Sequence, residues 1–177
     1  QTSAPEPDGD VLDACADDLL ARLRRAKRPM LMVGVEVRRY GLEARVCELA
    51  RRLRVPVVTS FMGRGLLVEC GAPLRGTYLG LAGDPALSAE VENSDGLLLL
   101  GVILSDTNFA LSSRKLDPRH TMLAIDREVR IGHHVFSGLP LDVLTEALIE
   151  RAGKGKARKT QVKRPKVRYP RGLKAND

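Results

Sequence analysis

FMGRGLLVECGAPLRGTYLG, residues 61–80, is one of three stretches that decide the fold. The other two are DGLLLLGVILSDTNF at 95–109 and AIDREVRIG at 124–132. Each stands where an apolar run, typical of a buried strand, gives way to a loop that is polar or rich in glycine. In a layered α/β domain such junctions lie at the carboxyl ends of parallel strands, where ligands bind. The three stretches therefore predict a sheet edge that carries polar loops.

Helical and strand periodicities alternate on either side of these junctions. Strand, helix and strand follow one another between 30 and 58, which favours a parallel βαβ unit with a right-handed crossover. The predicted elements are a helix at 11–26 capped by Asp10, a strand at 30–35, a helix at 42–53, a strand at 55–58, a helix from 85 to 93 capped by Asp84, strands at 96–104 and 122–125, and a helix at 140–152.

The predicted fold class is α/β: a three-layer, doubly wound, mostly parallel sheet with helices on both faces. It is Rossmann-like but lacks the dinucleotide fingerprint. The segment after the first strand, Gly34-Val35-Glu36-Val37-Arg38-Arg39, has one glycine where that fingerprint needs three.

Composition predicts a single domain with an aliphatic core. Of 177 residues, 44% are hydrophobic and only 3% are aromatic. The longest apolar run, 97–104, is shorter than the roughly 20 residues that cross a bilayer, and residues 1–10 carry no apolar signal region. We therefore expect a soluble, cytoplasmic protein without a membrane partner.

The cysteines and histidines give no sign of a metal or nucleophilic site. Cys15, Cys47 and Cys70 share no metal-ligand spacing, and two of them fall on the apolar stripes of predicted helices. We expect all three to be buried free thiols in a reducing compartment. His133 and His134 lack cysteine or carboxylate partners at metal spacing. The sequence therefore predicts no catalytic, cofactor-binding or metal-binding residue.

The positive charge is confined to one end of the chain. The net charge is +7, but residues 153–177 hold ten Lys and Arg against one acidic residue. This end has two prolines and three glycines, so we interpret it as a basic interdomain linker rather than a polyanion-binding arm. The predicted organisation is a linker at 1–10, a domain at 11–152 and the basic linker at 153–177. Nucleic acid is not an expected partner.

Polar residues that follow the strands are the candidate site residues. Arg38 and Arg39 suit the carboxylate of a small organic acid, with a plain surface pair as the alternative. Arg64, between two glycines, suits an anion, with a solvated turn as the alternative. The loop at 105–118 is long enough to move at the crevice, although its Asp and Asn are also good turn formers.

Residues 28–152 resemble the central domain of the thiamine-diphosphate-dependent 2-oxo acid decarboxylases, closest to the phenylpyruvate and indolepyruvate branch. The resemblance is carried by VEVRRYGLEARV at 35–46, MGRGLL at 62–67, GTYLGLAGD at 76–84, DGLLLLGVILSDTNFA at 95–110 and AIDREVRIG at 124–132. Two departures weaken any anion contact carried over: Arg64 stands where relatives commonly have Lys, and Gly71-Ala72 where a His-Pro pair is common.

The resemblance implies a scaffold whose chemistry lies in flanking domains. Thiamine diphosphate and Mg²⁺ would be bound mainly by a pyrimidine and a diphosphate domain of the same chain, so this segment alone would be inactive. The parent enzyme would be a homo-oligomer, and FAD is not expected. A regulatory or active-site-approach role is implied for Arg38, Arg39, Asp106, Thr107 and Asn108. The alternatives are a freestanding nucleotide-binding module of FAD type and a protein that binds polyanions through its tail.

Overall fold

Helices and strands alternate through residues 7–104 and 116–153, the part of the chain that the structure, a computed structural model, describes. The helices are α1 Gly9–Arg25, α2 Glu36–Arg39, α3 Glu43–Leu53, α4 Pro85–Glu92 and α5 Leu141–Ala152, with a 3₁₀ turn at Gly80–Ala82. The strands are β1 Pro29–Val33, β2 Val57–Thr59, β3 Leu74–Thr77, β4 Gly96–Leu100, β5 Thr121–Ile125, β6 Glu128–Ile131 and β7 His134–Ser137.

The seven strands form one sheet in the order β3-β2-β1-β4-β5-β6-β7. The first five strands of this order are parallel, and β6 and β7 add an antiparallel hairpin at one edge. β1 and β4 pair in register along their whole length, and every residue in both is buried. Strands that are covered on both faces have sequences that are continuously apolar, and PMLMV and GLLLL are such sequences. The predicted fold class is confirmed.

Alternate residues of the central strands supply two separate cores. Leu31 and Leu98 point into the larger core, which is filled by α1, α3 and α5. Met32 and Leu99 point into the smaller core on the opposite face, together with Tyr78 and the α4 side chain of Val91. Burying one such aliphatic side chain contributes about 1.5–3 kcal/mol, so both layers stabilise the sheet.

Helix ends agree only in part with the capping signals in the sequence. Asp84 caps α4 as predicted, with its Oδ1 accepting from the Ala86 N–H at 2.8 Å. The cap of α1 is Asp8 and not Asp10, because the Asp8 carboxylate accepts from the amides of Asp10 and Val11. The prediction for Asp10 is wrong: the helix begins at Gly9, so Asp10 already lies in its first turn.

Arginine side chains hold the end of α5. Arg52 of α3 donates to the carbonyl oxygen of Ile149 at 3.0 Å, and Arg24 of α1 donates to that of Arg151 at 3.1 Å. Arg151 itself pairs with Asp13 and Asp17 on α1. The last carbonyls of a helix have no partner within it, so these guanidinium groups both cap α5 and join it to α1 and α3.

Other structural expectations are corrected or lie outside the described residues. The predicted strand 96–104 ends at Leu100, since Gly101 takes a φ of 65°, which breaks the extended backbone. The division into 1–10, 11–152 and 153–177 stays a prediction, and residues 154–177 lie outside the described part. Within 7–104 and 116–153 no helix has the length and apolar character needed to cross a membrane.

Candidate functional site

The strand order reverses direction at β1, which lies between β2 and β4, and a ligand crevice is expected at the carboxyl end of the sheet at this point. Here the backbones that follow β1, β2 and β4 lie in close contact. A Cβ on Gly34 would lie 2.1 Å from the Gly101 carbonyl oxygen, and a Cβ on Gly63 would lie 2.7 Å from that of Val33. The glycines therefore allow the loop backbones that follow β1, β2 and β4 to pack closely at this position.

Glu36 connects the ends of three strands just beyond these glycines. It is the first residue of α2 and only 4% exposed. Its amide donates to the Gly101 carbonyl oxygen at 3.1 Å, and its Oε2 accepts from the Asp126 amide at 2.8 Å. A buried carboxylate needs such hydrogen bonds to offset lost hydration. The sequence places Glu36 after the first strand but does not mark it as a site residue. Its hydrogen-bond partner, the Asp126 amide, lies 90 residues away along the chain, and no local pattern shows this contact.

A cleft of about 600 Å³ opens beside Glu36. The Tyr40 hydroxyl donates to Asp126 Oδ1 at 2.8 Å across it. This hydrogen bond raises the pKa of Tyr40 above its ordinary value, with burial and the nearby Glu36 acting in the same direction. The cleft is lined by carboxylates, guanidinium groups and small polar groups: Glu36, Arg39, Tyr40, Ile125, Asp126, Arg127, Glu128, Ser137 and Gly138. Such a lining suits a small polar ligand.

The arginine pair that follows β1 is divided between two places. Arg39 lines the cleft, with its side chain 57% exposed and 3.7 Å from the Glu36 carboxylate. Arg38 lies outside that lining and approaches Glu43 at 3.8 Å. The structure therefore does not bring the two guanidinium groups onto one ligand position. Asp106, Thr107 and Asn108, the other expected regulatory residues, lie outside the described residues.

Arg64 lies in the tight turn that its flanking glycines predict. The Gly63 amide donates to the Ser60 carbonyl oxygen at 3.0 Å, and Gly65 has a φ of 82°. The Arg64 guanidinium carbon lies 4.8 Å from the centre of the Phe61 ring, in cation–π contact. Arg64 is exposed, and the lining of the Glu36 cleft does not include it. The anion contact stays a prediction.

A second groove, of about 620 Å³, lies between α3 and the loop before β3. It is lined by Glu43, Ala44, Cys47, Arg51, Gly65, Leu67, Val68, Glu69 and Cys70. Cys47 and Cys70 are joined by a disulfide, so the expectation of three free thiols is wrong for these two. Their Cα atoms are 6.0 Å apart because the loop folds back on the inner stripe of α3. Cys15 is a buried free thiol, and burial raises its pKa to about 12.

Metal ligands do not converge in the part of the chain that is described. Within 7–104 and 116–153 no three His, Cys, Asp or Glu side chains are grouped to hold an ion. His133 and His134 are both exposed on the hairpin of β6 and β7. The polar side chains at this end of the sheet instead line the cleft beside Glu36.

Comparison with known proteins identifies the fold family. The model for "Thiamine pyrophosphate enzyme, central domain" matches residues 16–141. The chain is 56% identical to indole-3-pyruvate decarboxylase of Azospirillum brasilense over 96% of this chain and 31% of that protein. It is 24% identical to pyruvate decarboxylase of Hanseniaspora uvarum over 82% of this chain and 26% of that protein.

A further relative is pyruvate decarboxylase isozyme 1 of Saccharomyces cerevisiae, which is 24% identical over 75% of this chain and 24% of its own length. The chain thus spans about a third or less of the curated relatives it matches. The family match covers all the strands up to β7 and the glycine junctions between them. The chain belongs to the family of thiamine pyrophosphate enzyme central domains.

Proposed function

We propose that this chain is the central domain of a thiamine-diphosphate-dependent decarboxylase of aromatic 2-oxo acids, such as phenylpyruvate or indolepyruvate. The observation that carries the proposal is the 56% identity to an indole-3-pyruvate decarboxylase along 96% of the chain. Identity to the pyruvate decarboxylases is less than half as high. The aromatic branch is therefore favoured over the pyruvate branch.

The proposal assigns the chemistry to other parts of the parent protein. Thiamine diphosphate would supply, when bound, the electron sink for the loss of carbon dioxide. The described residues offer no ligand set for its Mg²⁺, because no cluster of three His, Cys, Asp or Glu side chains is present in 7–104 and 116–153. The segment alone is expected to be inactive, with pyrimidine and diphosphate domains of the same chain as its partners.

The role left for this segment is that of a rigid scaffold in a homo-oligomeric, cytoplasmic enzyme. Two buried cores on either side of one sheet give it independent stability. Glu36 fixes the ends of β1, β4 and β5 relative to one another. A fixed sheet edge is what two flanking domains need if they are to hold one cofactor between them.

Regulation by a carboxylate ligand is supported by the weak ion pairs of the arginines. Arg39 and Arg38 lie 3.7 and 3.8 Å from their carboxylate partners, and both are more than half exposed. The Arg38–Glu43 pair is exposed on both sides and contributes at most about 1 kcal/mol, and the Arg39 guanidinium is itself exposed, so a 2-oxo acid can reach either arginine. Asp106, Thr107 and Asn108 are proposed to share this regulatory role, and Arg64 to contact an anion.

Replacing Arg38 and Arg39 by alanine in the parent enzyme tests this regulatory role. We expect the dependence of rate on substrate concentration to lose its sigmoidal shape. The Arg45→Ala variant is the matched control, since Arg45 pairs with Glu146 on the helical face. Unchanged sigmoidal kinetics in the double variant would remove both arginines from regulation.

An exchange of segments tests the main proposal. Residues 11–152 would replace the corresponding part of the Azospirillum brasilense enzyme, and indolepyruvate decarboxylation would be measured. We expect kcat/KM within about tenfold of the unaltered enzyme, which corresponds to about 1.4 kcal/mol. The control exchange uses the Hanseniaspora uvarum segment, which should impair the enzyme more. A folded, oligomeric chimera without activity would contradict the proposal, as would decarboxylation by the 177-residue chain alone.

A nucleotide-binding module of FAD type is not favoured. The segment Gly34–Arg39 after β1 lacks the three glycines of a dinucleotide-binding loop, and the matching family model is that of a thiamine pyrophosphate enzyme central domain. Yellow colour and flavin absorbance in the purified protein would reverse this judgement.

A further inference from the structure

We propose that Cys47 and Cys70 form a reversible thiol–disulfide couple that exchanges with small thiols of the glutathione class, and that its oxidation state controls the mobility of the segment entering β3. Nothing in the proposed decarboxylase function requires this couple. It rests on the position of the two sulfurs in the groove between α3 and the loop.

The groove gives a small thiol access to one of the two sulfurs. Both cysteines line it, but Cys47 is only 4% exposed whereas Cys70 is partly exposed. Arg51, one turn after Cys47, also lines the groove and is exposed, with Glu43 and Glu69 nearby. An external thiolate must reach a sulfur atom in order to attack it, and Cys70 is the more exposed of the two. Exchange should therefore begin at Cys70.

The exchange reaction has two steps. An external thiolate attacks Cys70 Sγ, the protein S–S bond breaks, and the electron pair leaves on Cys47 Sγ, which takes up a proton from solvent. Cys47 Sγ lies 3.1 Å from the Cys70 carbonyl oxygen, so the new thiol has an acceptor beside it. A second external thiolate attacks the outer sulfur of the mixed disulfide and releases the Cys70 thiolate. Two small thiols become one small disulfide, and the protein gains two thiols.

The disulfide lies between a buried anchor and an edge strand. Leu66 and Leu67 fix the first half of the loop, at 2% and 6% exposure. The residues that follow are poorly packed: Val68 is 65% exposed, and Glu69 and Gly71 are exposed as well. β3 comes next, at the sheet edge, partly exposed along its whole length and joined to β2 through a register shift.

Reduction removes the covalent attachment of this segment to α3. Residues 74–77 stay attached without it, because β3 pairs with β2 and Arg75 pairs with Glu90. Residues 68–73 have weaker attachments, since Val68, Glu69 and Gly71 are exposed, and segments with few buried contacts open locally at low cost in free energy. We therefore expect 68–73 to become mobile while β1 and β4, which are entirely buried, stay unchanged.

The test uses the unaltered chain, equilibrated with either oxidised or reduced glutathione. Alkylation in denaturant followed by intact-mass measurement should show one free thiol after oxidised glutathione, from Cys15, and three after reduced glutathione. Hydrogen exchange in peptides covering 68–73 should be faster by about tenfold or more in the reduced chain. Peptides from β1 and β4 should exchange alike in both.

Two variants make the assignment specific. Cys47→Ser should exchange rapidly at 68–73 in both conditions and should form a glutathione adduct on Cys70 with oxidised glutathione. Cys15→Ala, the matched control, should respond to glutathione as the unaltered chain does. The proposal is overturned if three thiols are found under oxidised glutathione, if reduced glutathione frees none, or if reduction leaves exchange at 68–73 unchanged.

Discussion

Replacing Glu36 by alanine tests whether one buried carboxylate holds the ends of β1, β4 and β5 together. The substitution removes the acceptor of the Asp126 amide, a hydrogen bond of 2.8 Å to a charged group, which contributes about 1.5–3 kcal/mol. It also removes one buried methylene group, worth about 0.8 kcal/mol. Relief of the desolvated charge opposes both losses. We expect a net decrease of about 2 kcal/mol in the free energy of unfolding.

Urea unfolding followed by circular dichroism measures this decrease. With a slope of about 2 kcal/mol/M, the midpoint should fall by about 1 M. Glu36→Gln keeps an oxygen for the Asp126 amide and should lose about half as much. Arg39→Met is the control, because the Arg39 side chain is 57% exposed and its 3.7 Å approach to Glu36 is longer than a hydrogen bond, so its loss should cost much less. A Glu36→Ala midpoint equal to that of the unaltered chain would refute the assigned role.

Three further outcomes follow from the structure. In urea titrations, Asp8→Ala should lower the free energy of unfolding by about 1 kcal/mol, and Asp10→Ala should lower it by at most about half of that. A larger loss for Asp10→Ala than for Asp8→Ala would show that Asp10 is the cap. Gly34→Ala should cost about 3 kcal/mol or more in thermal melts because its Cβ would meet backbone, whereas Gly9→Ala, with nothing within 4 Å, should be nearly neutral. Because the pKa of folded Cys15 is raised to about 12 from an ordinary 9.0, the folded chain keeps a proton that the unfolded chain loses, so stability should fall as pH rises through that window. Urea midpoints at about pH 8 and about pH 10 should therefore differ more for the unaltered chain than for Cys15→Ala, and equal differences would contradict the burial of this thiol.

The parts of the fold that were predictable from sequence are those with a strong local signal. PMLMV and GLLLL are apolar on both faces, and Asp84-Pro85 is a cap followed by a first-turn proline. β3 was missed because LRGT has neither an apolar run nor alternation, and its half-buried edge position is set by β2. The hairpin of β6 and β7 was missed although EVRI alternates charged and apolar residues and Gly132 follows it, because this stretch was interpreted as the loop after β5.

The candidate site depends on contacts between residues far apart in sequence, and this limits its prediction. Arg38 and Arg39 were correctly placed after the first strand, but neighbours in sequence diverge on a helix, and they take different partners. Glu36 acquires its role from the amide of Asp126, a residue with a φ of 50° that no local pattern marks. The pairing of Cys47 with Cys70 likewise depends on how a loop folds back on α3.

The arginines at the end of α5 have a mechanical consequence. Arg24 and Arg52 bind the final carbonyls of the helix from two other helices, and the chain leaves the described part at Gly153. Tension applied beyond Gly153 would therefore be shared among α1, α3 and α5 and would not simply unwind the last turn. A domain attached after this point would transmit torque to the sheet through three helices at once.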